Sequence, residues 1–415
     1  MKRFITIVLL LAWLATALGA QPAGEQVFRE IDAILADLSK ITGFKPLKPI
    51  QRDVIGRDQV KRFLEDRIKE EIKPEELRAE ELTLKKFGFV PQDFDLKKTT
   101  VELLTEQAAA FYDYRKKRLY VLDSNSNAMQ EIALVHELAH ALADQQFNLA
   151  KFVDRAGESD DGAMARLAVM EGQATWLMSE YMAQKMGLSL KKSPAIVQLM
   201  SQQTAASGGQ FPVFDKAPLY LRETLLFPYT QGMLFQQAVV EKEDQAAFAS
   251  VFRRPPESTQ QILHPEKYFA AEKPASPRLA EFRERGSYRV LAEGSIGELD
   301  YSILLRQYVS QKDAEAIAPR WKGGQYRLWE HRKQRGKTVL AYSSEWADPN
   351  AAKEFFRLCP KILRGKWSAI EVAVDRADLF AGRGDDGYFE LRLNGATVTS
   401  LEGMEAPGEP PAPLR

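Results

Sequence analysis

The chain has 415 residues, 45% of them apolar, and 57 basic residues balance 57 acidic ones. Balanced charge removes the electrostatic signature of a nucleic-acid-binding or membrane-surface protein. The length predicts two or three domains, and a single cysteine, Cys359, excludes an intrachain disulfide.

The first twenty residues read as a secretory signal peptide. Lys2-Arg3 is a basic start, Phe4 to Leu14 is an apolar run, and Ala17-Leu18-Gly19-Ala20 is a small-residue exit. Cleavage there leaves 55 basic and 57 acidic residues, a formal charge of −2. The expected location is secreted or periplasmic. No cysteine follows the apolar run to carry a lipid, and no other segment is long and apolar enough to span a bilayer. No stable membrane insertion is therefore expected after cleavage.

Residues 21–105 are predicted to be a helical region. Val27 to Leu38 has helical apolar spacing, Gly43-Phe44-Lys45-Pro46 and Lys48-Pro49 interrupt it, and charged helices follow at 57–72 and 75–87. Ala110-Phe111-Tyr112-Asp113-Tyr114 and Arg118-Leu119-Tyr120-Val121-Leu122 predict a hairpin through Arg115-Lys116-Lys117.

The stretch that names a chemistry comes next. His136-Glu137-Leu138-Ala139-His140 matches H-E-x-x-H and holds two of the chain's four histidines. Positions i and i+4 share a helix face, so both imidazoles can reach one ion. Glu137 lies about a hundred degrees round the helix, where a carboxylate can act on water without being a ligand. Apolar residues from Ile132 to Ala143 surround the motif and mark a buried helix. Ser124 to Asn127 can cap it.

A second long helix is predicted over 162–186, after the acidic run Glu158-Ser159-Asp160-Asp161. A catalytic zinc needs a third protein ligand and an open position. Glu171 is the first candidate: Leu167, Ala174 and Met178 share its face, and a lone carboxylate there would be costly to bury. Gly172 permits close helix approach. Pairing with Arg166 is the bland alternative, and Glu180 is the second ligand candidate.

Ser207-Gly208-Gly209 breaks the chain, helices are expected within 217–250, and residues 255–275 read as Pro-rich and irregular. The rest reads as a separate α+β domain over 276–402. Strands are expected at 287–292, 325–331, 337–343, 369–374 and 387–393, with helices near 300–309 and 350–362. Cys359 falls at the end of the latter, as a buried structural thiol. Residues 403–415 are expected to be a disordered Pro-rich tail.

HELAH followed by Glu171-Gly172 on the next helix resembles the gluzincin class of zinc peptidases. Within it, the chain is similar to bacterial neutral zinc metallopeptidase-like proteins of the peptidase MA type. The resemblance takes in Glu106-Gln107, Phe111-Tyr112-Asp113, His136 to Asp144, and Phe227-Pro228-Tyr229-Thr230-Gln231-Gly232. It continues through Pro255-Pro256-Glu257-Ser258-Thr259-Gln260-Gln261-Ile262-Leu263-His264-Pro265. It covers most of residues 25–270. Gln173 departs from it, where Asp is expected.

The resemblance implies an α+β protein: a mainly helical, zincin-like catalytic domain with a small antiparallel sheet over 106–275, followed by the C-terminal domain. It implies one Zn²⁺ per chain on His136, His140 and Glu171. Peptide hydrolysis through a zinc-activated water, with Glu137 as general base, follows from it. In related aminopeptidases and leukotriene hydrolases a Pro-Tyr-x-x-Gly motif supplies an oxyanion-stabilising tyrosine, and Tyr229 matches it. Without the resemblance, Tyr229 reads equally as a packed aromatic, and His264 is the alternative donor. The aminopeptidase Gly-x-Met-Glu-Asn signature is absent from the edge strand, so an endopeptidase acting on peptides or proteins is expected, with no nucleic-acid partner. The alternatives are a non-catalytic envelope protein using the fold as a binding scaffold, and a zinc hydrolase of a non-peptide substrate.

Overall fold

The computed structural model describes residues 30–107, 110–122, 127–157, 159–206 and 211–406. The signal-peptide segment, the start of the Val27 helix, most of the Ser124–Asn127 cap, the Ser207-Gly208-Gly209 break and the tail from 407 lie outside them; residues 403–404, expected to belong to that tail, instead end a strand, where Met404 is buried in the sheet's core. The protein is α+β, with a large antiparallel sheet in its C-terminal region. No helix among the described residues is long and apolar enough to cross a membrane.

Two compact units interleave along the chain. The first comprises residues up to Leu77, Asp95–Gly157 and Gly162–Glu272; the second comprises Arg78–Phe94, Glu158–Asp161 and the chain from Lys273.

The first unit is mostly helical around a three-stranded sheet of order β1-β3-β2, formed by β1 (Gln51–Ile55), β2 (Ala110–Asp113) and β3 (Arg118–Leu122). The predicted hairpin is present, pairing Ala110 with Val121 and Asp113 with Arg118. Its turn is held by Asp113, whose carboxylate accepts from the Arg115 and Lys116 amides, and Lys117 adopts φ +55°. The expected small antiparallel sheet is mixed, because β1 joins it parallel to β3. β1 escaped the sequence reading because it is an exposed edge with no alternating apolar face.

The HELAH helix spans Asn127–Phe147. Its apolar residues from Ala133 to Ala143 are buried all round, as an all-round apolar helix requires. Phe147 anchors its end by stacking on Phe252 at 4.7 Å between centroids and meeting Phe44 edge-on at 5.4 Å. The Glu171 helix spans Asp160–Lys185 and the Tyr229 helix Leu219–Glu243. The run 255–275, expected to be irregular, contains two short helices, Thr259–Leu263 and Pro265–Phe269. Ser258 caps the first through the Gln261 amide, and Pro265 opens the second.

The second unit is built on a seven-stranded antiparallel sheet of order β4-β5-β6-β10-β9-β8-β7. Its strands are β4 (Tyr288–Ser295), β5 (Trp321–His331), β6 (Thr338–Trp346), β7 (Ile370–Asp375), β8 (Leu379–Gly384), β9 (Gly387–Asn394) and β10 (Thr397–Met404). Val339, Ala341, Leu401 and Met404 join Phe282, Tyr288 and Trp329 in one apolar cluster. The helix Pro349–Lys366 buries Phe355, Phe356, Cys359, Ile362 and Leu363 along one stripe. Cys359 lies inside this helix, not at its end. Pro360 gives up one amide, but the buried stripe continues past it and carries the helix on. The thiol is buried and donates to the Phe355 carbonyl.

Candidate metal centre

The HELAH helix presents both imidazoles on one face, and Glu171 reaches them from its own helix. His136 Nε2 and His140 Nε2 are 3.1 Å apart, and each is 3.2 Å from Glu171 Oε2. Tetrahedral ligands about 2.0–2.1 Å from a Zn²⁺ stand roughly 3.3 Å from one another. The donor triangle therefore has the size of one face of that tetrahedron. The three residues are 1%, 5% and 1% exposed. Three lone-pair donors converge in a dry place, which a shared cation compensates. Among the described residues this is the group of metal-ligating side chains that comes together, and it can hold a metal ion.

The electrostatics follow from that crowding. Burial pushes His136 down from its ordinary value. Burial acts the same way on His140, but the Glu171 charge and hydrogen bond outweigh it, so His140 is raised. For Glu171, burial pushes up, and the two histidines overcome it and hold the carboxyl at about 2.

Glu137 is buried beside the donors without being one of them. Its Oε2 accepts from the Tyr112 main-chain N–H on β2 at 2.7 Å. Burial raises its carboxyl to about 8; His140 opposes this and the Glu171 charge adds to it.

The alternatives weighed from sequence resolve by their partners. Arg166 does not pair with Glu171; it donates to the Phe152 carbonyl at 3.1 Å and lies over the Phe152 ring. Glu180 is buried but accepts from Gln184 Nε2, Ser189 Oγ and the Leu190 amide, which ties down the turn after its helix. Gln173 donates to the Phe248 carbonyl at 3.1 Å and to Gln236 at 3.4 Å.

Tyr229 is inside its helix, one residue after an internal Pro228. Its ring stacks on His136, with centroids 6.1 Å apart and planes at 28°. Burial, reinforced by the Glu171 and Glu137 charges and by a hydrogen bond to Glu171, raises its hydroxyl well above its ordinary value. His264 sits where the helices Thr259–Leu263 and Pro265–Phe269 meet. It is part-exposed, with Nδ1 3.8 Å from Glu266, and it is not among the donors of the cluster.

Sequence reasoning gave no role to Tyr112, Lys117 or Asp144. The Asp144 carboxylate accepts from the Tyr112 hydroxyl at 2.9 Å, Lys117 Nζ at 2.6 and 2.7 Å, and the Leu149 amide at 2.9 Å. The available signal was Asp144 itself, a lone acid one turn beyond His140 on a buried helix.

Residues 287–409, which cover the seven-stranded sheet and lie outside the metal centre, are similar to a domain of unknown function (DUF8575). Comparison with curated proteins and with solved structures found no match to this chain.

Proposed function

We propose that the chain is a secreted or periplasmic zinc-dependent endopeptidase of the gluzincin type, with a zincin-like catalytic domain in its first unit. The observation that carries this reading is the triangle of His136 Nε2, His140 Nε2 and Glu171 Oε2, with sides of 3.1–3.2 Å, beside a buried carboxylate that is not part of it. These three residues would hold the ion. Bound Zn²⁺ supplies a Lewis acid that acidifies water and polarises a carbonyl.

The chain's own groups do the rest. Glu137 takes the proton of the attacking water and gives it to the leaving amine, while the Tyr112 N–H fixes one of its oxygens. The Tyr229 hydroxyl donates to the carbonyl oxygen as that oxygen gains charge. The aromatic and aliphatic residues around the site exclude water and strengthen each of these interactions.

Elemental analysis of the purified chain and an assay with dye-labelled casein test the reading. About one zinc per chain is expected, falling to background in the His136→Ala, His140→Ala double variant. Glu137→Gln should keep the zinc and lose hydrolysis by about a hundredfold or more. Undiminished turnover in that variant would remove Glu137 from the chemistry, and wild-type zinc in the double variant would remove the site.

A further inference from the structure

We propose that Asp144 is a positioning residue that sets the general base through Tyr112. The proposal rests on the reading of Glu137 as that base. Tyr112 touches the HELAH helix at both of its ends. Its main-chain N–H holds Glu137 Oε2 at 2.7 Å, and its phenol O–H donates to Asp144 Oδ2 at 2.9 Å. Glu137 and Asp144 are seven residues apart, which on a helix is two turns along the same face. One residue of β2 is thus fastened to the helix at two points, and the upper point is the carboxylate that must move a proton.

The far end of the hairpin closes the ring. Lys117 Nζ grips both oxygens of Asp144, at 2.6 and 2.7 Å. Lys117 does so from a left-handed backbone, φ +55°, which a non-glycine residue holds only against a steric cost. Asp144 is buried, and its four accepted hydrogen bonds leave no oxygen unused. A carboxylate needed only to cap the helix Leu149–Asp154 would require only the Leu149 amide.

β2 is the outer strand of its sheet, paired to β3 on one side only. The β2–β3 pairing does not place the outward-facing Tyr112 amide relative to the helix. Packing of the buried Phe111 and Tyr112 brings the strand against the helix, and the Asp144 contacts fix its polar register there. Loosening them shifts the amide, and Glu137 follows it. A misplacement of about 1 Å at a reacting group is enough to cost roughly a hundredfold in rate.

Tyr112→Phe is the sharpest variant, because it keeps the ring and deletes the bond to Asp144. Hydrogen exchange of the Tyr112 amide reads the coupling without reference to activity, with Glu137→Ala, which removes the acceptor, setting the unprotected limit. In Tyr112→Phe and in Asp144→Asn the amide should exchange about tenfold faster or more, while the His140 and Ala141 amides keep their protection. With dye-labelled casein, kcat should fall about tenfold or more, with KM within about twofold and zinc content unchanged. Lys117→Arg should recover most of what Lys117→Met loses. If Asp144→Asn does not fold, Tyr112→Phe alone decides. Unchanged Tyr112 exchange in the folded variants overturns the proposal. If the wild type does not hydrolyse casein, faster exchange still supports the coupling while the peptidase reading fails.

Discussion

Gly172 and Gly232 meet backbone to backbone where the Glu171 helix crosses the Tyr229 helix. A Cβ on Gly172 would lie 2.1 Å from the Gly232 carbonyl carbon, and one on Gly232 would lie 2.3 Å from the Ala168 carbonyl oxygen. Two glycines therefore set the distance between the residue beside the first, Glu171, and the residue one turn before the second, Tyr229. Both side chains reach the same centre because nothing but backbone separates their helices.

Gly172→Ala is expected to push the two helices apart and cost about 1–3 kcal/mol, the range for overpacking a tight core. Urea unfolding reads the cost directly. Zinc affinity should fall as well, since Glu171 moves with its neighbour. A change within about 0.5 kcal/mol would mean that the helices do not touch there.

Glu171 and Glu180 occupy one helix and are both buried, yet opposite outcomes are expected from them. Glu171→Ala should weaken zinc binding by more than the roughly 10–100-fold that outer groups cost. Glu180→Ala should leave zinc in place and destabilise the protein by about 1–3 kcal/mol, because the buried Leu190 amide loses its acceptor. Competition with a chromogenic chelator measures the first and urea unfolding the second. Zinc loss in the Glu180 variant alone would reverse the assignment.

The candidate metal centre was legible because the chemistry of such a site constrains the sequence. Two imidazoles of one helix that share an ion stand about a turn apart, and a carboxylate on an apolar stripe needs a partner, which led to Glu171. The hairpin and most of the C-terminal strands announced themselves by alternation. β8 did not, since Gly382 and Gly384 interrupt its pattern; Gly382 is required where a Cβ would lie 2.0 Å from the Glu371 carbonyl oxygen. β10 was hidden by its serine, threonines and the register shift at Glu402 to Met404. The Tyr112–Glu137 bond left no trace because its donor is a main-chain N–H, which nearly every residue possesses.

Glu330, in the second unit, should make folding acid-sensitive. Burial pushes its carboxyl up, but hydrogen bonds from Arg78, the Gly336 amide and Arg289 prevail and hold it at about 2. A folded value below the unfolded one stabilises the protein above about pH 4.5, and that stability is lost as the pH falls from there towards 2. Its size is up to about 3 kcal/mol. Glu330→Gln should lose about 1–3 kcal/mol at pH 7 and unfold with a flatter pH dependence between 5 and 2.5. Intrinsic fluorescence suits the measurement, since Trp321, Trp329, Trp346 and Trp367 are four of the six tryptophans and all belong to this unit. Parallel pH curves for the two proteins would rule out Glu330 as the source.

Tyr229→Phe separates a packed ring from a chemical group. Phe retains the stack on His136 and deletes the hydroxyl together with its hydrogen bond to Glu171, so zinc content is measured beside turnover. If the hydroxyl donates to the oxygen that gains charge, turnover of dye-labelled casein should fall about a hundredfold or more, as when one oxyanion donor is removed elsewhere. The loss should appear in kcat, because the interaction strengthens only as the carbonyl is attacked. Turnover within about threefold of the wild type corresponds to less than roughly 1 kcal/mol and would assign Tyr229 to packing. His264→Ala is the paired measurement. His264 stands outside the donor cluster and part-exposed, so its loss should leave turnover within about threefold; a hundredfold loss there with none in Tyr229→Phe would transfer the donor role to the imidazole.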